Sequence, residues 1–154
     1  MPNFRYVEDS TIFLKYNLAV DFTEQMIKQQ SAMEAEMKKL DENLQNQQKV
    51  MQDKLQSGQY KSQADMEADQ KRLMELQKTA EEKMAQMQQE LLTVSAKNNQ
   101  TVTDSIRKFI EDYNAEKGYD AIFFKAATLY IDPALDITDE IVEGLNARYN
   151  KVKK

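Results

Sequence analysis

Folded about Gly58, the chain brings its apolar residues into register with one another. Met51 falls opposite Met66, Leu44 opposite Leu73, Met37 opposite Ala80, Met33 opposite Met84 and Met26 opposite Leu91. The residue numbers of every pair share one sum, the arithmetic of two helices running in opposite directions from a reversal. Each arm also carries its own spacing. Met33, Met37, Leu40, Leu44, Gln47 and Met51 step by four and three, and Leu73, Ala80, Met84, Met87, Leu91 and Val94 keep the same frame on the return. That spacing holds one narrow apolar stripe against a partner helix. Between the arms, Gln56-Ser57-Gly58-Gln59 contains the first of only three glycines, where a helix stops and the backbone needs unusual dihedrals. The expectation is a long antiparallel coiled-coil hairpin.

Composition closes several alternatives. Charged residues make up 31% of the 154, with three glycines and two prolines, and there is no cysteine, histidine or tryptophan. Such a chain is rich in helix formers. Without histidine or cysteine, the usual zinc, copper, thiolate and imidazole chemistries have neither ligands nor nucleophiles. The chain therefore reads as a non-enzyme with no catalytic residues, metal site or cofactor. Its net charge of -5 argues against nucleic acid, because phosphate binding wants a clustered basic face. Lysines and glutamates alternate along the arms as on a solvated coiled-coil exterior. No run approaches the roughly eighteen apolar residues of a membrane span, so no integral membrane segment is expected.

The two ends differ from the middle. Phe4-Arg5-Tyr6-Val7 alternates and is aromatic, as a short strand does. Gly118 breaks the second arm, and Ala121-Ile122-Phe123-Phe124 followed by Thr128-Leu129-Tyr130-Ile131 reads as a β-hairpin. Asp132-Pro133 stops the second of those strands. A last helix follows, with Thr138 as N-cap, Asp139 and Glu140 in its first turn, and Ile141, Leu145 and Tyr149 on one face beside Val142.

These readings predict an α+β chain, mostly α, in which residues 1–16 and 114–154 form a discontinuous β-rich body. Residues 17–113 form a helical hairpin arm, with its tip near Gly58, projecting from that body. Arms of about 45 to 55 residues reach roughly 70 Å. Three short strands can scarcely bury their own aromatic faces or satisfy their edges alone. The body is thus expected to be an oligomerisation unit, with Phe4, Tyr6, Ile122, Phe124, Leu129 and Ile131 as its contact residues.

The stretch from Ala127 to Ile141, with its core Leu129-Tyr130-Ile131-Asp132-Pro133 and the Asp136-Ile137-Thr138 that opens the last helix, resembles the closing segment of the Skp family, the OmpH-like periplasmic chaperones. Phe4-Arg5-Tyr6-Val7-Glu8-Asp9-Ser10 is similar to that family's first strand and the loop leaving it. The resemblance implies a homotrimer whose strands close into a small barrel, with three hairpins hanging like tentacles around a cavity. It also implies a function: an ATP-independent holdase whose partners are unfolded outer-membrane proteins in the periplasm. A signal sequence upstream of Asn3 in the encoding gene is expected on that reading. The best-known members are strongly basic, whereas this chain is acidic, which moves the grip from electrostatics to hydrophobic contact.

A holdase needs contacts that are weak, numerous and adaptable, and methionine is flexible and polarizable enough to provide them. Most of the nine methionines fall on the stripe that joins the helices, where core packing is the simpler role. Residues off the stripe or near the tip, namely Met74, Leu76, Tyr60 and Leu55, are the candidate client contacts. The polar run Lys97-Asn98-Asn99-Gln100-Thr101, which interrupts the stripe, and its partner region near Leu18 and Ala19 are candidate flexing points. Prefoldin, also a holdase of helical hairpins on a β platform, places its strands between its helices, so the order of elements speaks against it. The alternative reading is a structural coiled-coil spacer or adaptor with one defined partner.

Overall fold

The computed structural model describes residues 1–153. The elements run β1 (Phe4–Val7), α1 (Asp9–Lys15), α2 (Asn17–Gln56), α3 (Gln63–Lys117), β2 (Ala121–Phe124) and α4 (Thr138–Lys153), with single 3-10 turns at Lys125–Ala127 and Pro133–Leu135. The protein is mostly helical with one small sheet. It divides into two compact units, a body of Met1–Gln25 with Ser95–Lys154 and an arm unit of Met26–Val94.

Two long helices form because neither Asn17–Gln56 nor Gln63–Lys117 contains a glycine or proline. Gly58 stands after the first with φ +68°, a left-handed conformation that glycine adopts without penalty. Ser62 Oγ accepts from the Asp65 backbone N–H at 3.2 Å, capping the start of α3. At its other end, Gly118 takes φ +70°. There the Asn114 side chain both accepts from Tyr119 N–H and donates to Tyr119 O, at 2.8 and 2.9 Å. These bonds pair both backbone groups of Tyr119, while Gly118 N–H donates to Asn114 O at 2.8 Å, pairing one of the carbonyls that a helix C-terminus would otherwise leave free.

In the body, β1 and β2 pair in parallel, Phe4 against Ala121 through Val7 against Phe124. Parallel strands require a long crossover, here everything between Glu8 and Asp120. The other side of β1 is also occupied: Tyr6 bridges Asp136, and Ile137 N–H donates to Tyr6 O at 3.0 Å. Strand β2 has β1 as its one neighbour among the described residues. The expected hairpin is therefore corrected. Residues 121–124 form a strand, but a 3-10 turn follows at once and Thr128–Ile131 joins no sheet among the described residues. The body is accordingly helical with two strands rather than β-rich. Two smaller expectations also change. Helix α1, which the sequence reading left inside the first strand's loop, buries Ile12 completely. Thr138 is the first residue of α4, and its hydroxyl accepts from Glu8 N–H at 2.8 Å, so it ties the helix to the end of β1.

The body's core gathers Val7, Ile12, Val102, Ile106, Phe109, Ile141, Val142 and Leu145 around one centre. Each fully buried aliphatic side chain in it contributes about 1.5–3 kcal/mol. Asn146 joins three elements, accepting from Asn17 N–H at 2.7 Å and donating to Lys15 O at 3.0 Å. Farther along α4, Tyr149 and Lys153 donate to the Asp21 carboxylate at 2.6 and 2.9 Å. The Tyr149 bond, then Lys153, holds the Asp21 carboxyl below its ordinary range. Reciprocally, Asp21 and burial push the Tyr149 hydroxyl up to about 12.

Two outcomes follow for the body. Gly144 lies so close to α3 that an added Cβ would fall 2.2 Å from the Phe109 ring. Gly144→Ala should therefore lower stability by about 1–3 kcal/mol, although the same change at an open helix position gains about 1. A thermal melt unchanged or raised would contradict that packing. The Asp21 contribution is present above the unfolded carboxyl value of about 3.9 and fades as pH falls through the lower folded value. That of Tyr149 is present below about 10 and fades as pH climbs through the raised one. Asp21→Asn should flatten both flanks of the melting-temperature profile against pH, and parallel profiles would dismiss this linkage.

Candidate functional site

Because so little of the sheet is covered, the body presents aromatic side chains to solvent. The Phe4 ring meets the Phe123 ring edge-on at 5.6 Å, and both remain more than a third exposed, as does Phe124. Ile122 is half-buried, packed against the core. Between β2 and α3, an apolar cleft of about 170 Å³ is lined by Val7, Ile106, Ile110, Ile122, Phe123 and Phe124. Leu129 and Tyr130 are almost wholly exposed, at 109% and 83%, with Ile131 half-buried beside them. They border a second groove shared with Glu8, Asp9 and Lys125.

The six body residues singled out by sequence thus divide. Phe4, Phe124 and Leu129 are exposed, Ile122 and Ile131 are half-buried, and Tyr6 is 4% exposed. Tyr6 is spent on the chain's own core, where burial and then the Asp136 carboxylate raise its hydroxyl pKa. Phe123 and Tyr130 were missed. Their signal was present in the same two runs, but alternation assigns every second residue of a hairpin to a covered face. At the end of β2, however, the adjacent Phe123 and Phe124 both stay more than a third exposed.

In the arm unit the candidate client contacts also separate. Leu55 and Met74 are 62% and 70% exposed. Leu76 is half-buried in a groove with Val50, Met51 and Leu73. Asp69 stands at the same groove and collects three donors from both helices and the turn. Lys54 reaches it at 3.2 Å, the Tyr60 hydroxyl at 3.1 Å and Arg72 at 2.6 Å. Hydrogen bonding from Lys54, outweighing the opposing effect of burial, holds the Asp69 carboxyl low. Burial followed by Asp69 raises the Tyr60 hydroxyl. Tyr60 is therefore anchored at the turn, whereas Leu55 and Met74 are unencumbered. Farther along, Lys83 donates to Glu36 at 2.7 Å, a second link from α3 to α2. Both stripes read from the sequence are half-buried, with Ala80 buried and Gln47 exposed.

Among the described residues no group of three or more acidic, histidine or cysteine side chains is placed to hold a metal. No helix of the described residues is long and apolar enough to cross a membrane.

No curated protein matches the chain by sequence. Its fold is shared with the crystal structure of an outer membrane chaperone (OmpH-like) from Caulobacter crescentus CB15, an assignment that structure's own description leaves provisional. The two agree with a TM-score of 0.85 at 18% identity, over 96% of this chain and 86% of the other. A family model described as Outer membrane protein (OmpH-like) matches residues 3–145, from just before β1 to the middle of α4. The chain accordingly belongs to the OmpH-like outer membrane protein family.

Proposed function

We propose that this protein is an ATP-independent holdase that keeps unfolded outer-membrane proteins from aggregating in the periplasm. It works as a homotrimer of bodies built from both chain ends, each carrying a coiled-coil hairpin arm, with the client held among three arms. The observation that carries the reading is an unfinished sheet in an OmpH-like chain. Among the described residues strand β2 has one open edge, and Thr128–Ile131 joins no sheet, with Leu129 and Tyr130 in solvent. A second copy's strand would satisfy both, since sheet edges add strands readily. Phe4, Phe124, Leu129 and Ile131 serve that assembly, and Ile122 supports it from within the chain.

Client contact falls to Leu55 and Met74, which nothing else occupies, with Leu76 and the Tyr60 ring as secondary apolar surface. Contacts of about 1 kcal/mol each hold a client when several arms act together, because the second and third engage at high effective concentration. The side chains stay adaptable and the contacts reversible, so release needs no nucleotide.

The test is dilution of a urea-unfolded outer-membrane barrel into the protein. Aggregation should be suppressed at one client per oligomer and should weaken several-fold in the Leu55→Ser/Met74→Ser double variant. Because the net charge is -5, holding should change little between low and moderate salt. Undiminished aggregation would leave the spacer reading standing, and a steep salt dependence would transfer the grip to electrostatics.

A further inference from the structure

Apart from Met1, every methionine lies between Met26 and Met87, inside the arm unit. The buried core of the body contains none. The arm's seam, by contrast, is rich in sulfur: Met33, Met37, Met51, Met66, Met84 and Met87 are all half-buried. Ala80 is the one buried residue of Met26–Val94 among the described residues. Met33 and Met87 border an open groove of about 410 Å³ with Leu91 and Val94. Met51 borders another, of about 380 Å³, with Val50 and Leu73. Met33, Met51 and Met87, half-buried along the seam, therefore also line space that solvent enters. With no cysteine in the chain, they are the softest nucleophiles it has.

We propose that Met33, Met51 and Met87 form an oxidation site through which an electrophilic oxidant of the hypochlorous acid class loosens the arm and spares the body. The sulfur lone pair takes up the electrophilic chlorine, and water then displaces chloride. The net change adds one oxygen to sulfur and releases chloride and a proton. Sulfur is oxidised by two electrons and chlorine reduced by two. The product is polar and strongly hydrated, so it does not return to an apolar seam, and methionine sulfoxide reductases reverse it. Met74, at 70% exposed and off the seam, reacts first and serves as an internal reference. The proposal concerns the seam's own packing and does not rest on client holding.

The full chain is titrated with hypochlorous acid, mapped by peptide mass, and followed by hydrogen exchange. One-oxygen additions should appear at Met74 and then at the three seam sulfurs of the folded chain. Amides across 26–94 should then lose protection while those of the body keep theirs, and sulfoxide reductase should restore the arm. The Met33→Leu/Met51→Leu/Met87→Leu variant, close to volume-conserving, should keep arm protection after the same treatment. Seam sulfurs left unmodified once Met74 is complete would overturn the proposal. So would seam oxidation without loss of arm protection, or an equal loss in the body.

Discussion

Strand β1 is held from both sides, by β2 along its whole length and by the Asp136–Ile137 segment at Tyr6. Everything else in the body depends on that clasp. It brings residues from the two ends of the chain together, seats Val7 in the core, and sets Glu8 N–H on the Thr138 hydroxyl at the start of α4. It occupies one edge of β1 along its length and the other at Tyr6. The remaining sheet valence is at β2, and what lies nearby in sequence, Thr128–Ile131, does not fold back to fill it. In the assembly proposed here, partner strands from other copies complete that edge.

The arm unit obeys a different rule. Two helices in contact can bury only the narrow strip between them, so its stripe residues are half-buried where those of the body are buried. Its cohesion comes from many partial contacts plus charge pairs such as Lys83 with Glu36 and the Asp69 cluster. A surface that keeps its apolar groups near solvent is suited to transient contact with other chains. It is also open to chemistry that a tight core would exclude.

How much of this was legible in the sequence depends on range. The long helices, the helix break at Gly58, the stop at Gly118 and the inward face of α4 at Ile141, Val142 and Leu145 are local or periodic, and each follows from propensity, spacing or left-handed geometry. Strand pairing is not local. Ile122 and Tyr130 sit in runs of equal β character, yet one run finds β1 and the other finds nothing, a difference set by residues more than a hundred positions away. Helix α1 was hidden because seven residues, with Phe13 and Leu14 exposed, offer too little periodicity. The role of Thr138 was misread since a capping hydroxyl and a crosslinking one look alike until their donors are known. Of the candidate site residues, Leu55, Met74, Phe124 and Leu129 lie on the surface, while Tyr6 is claimed by the core.

The central claim is that both ends of the chain make one body whose sheet is finished by association. Sedimentation velocity at micromolar concentration, on the native chain and on a Phe124→Glu/Leu129→Glu variant, tests it most directly, because both side chains are exposed and their replacement leaves the core intact. The account predicts a three-chain species for the native protein and a single chain of unchanged helical content for the variant. A native protein that sediments as a single chain, or a variant that still assembles, would contradict it.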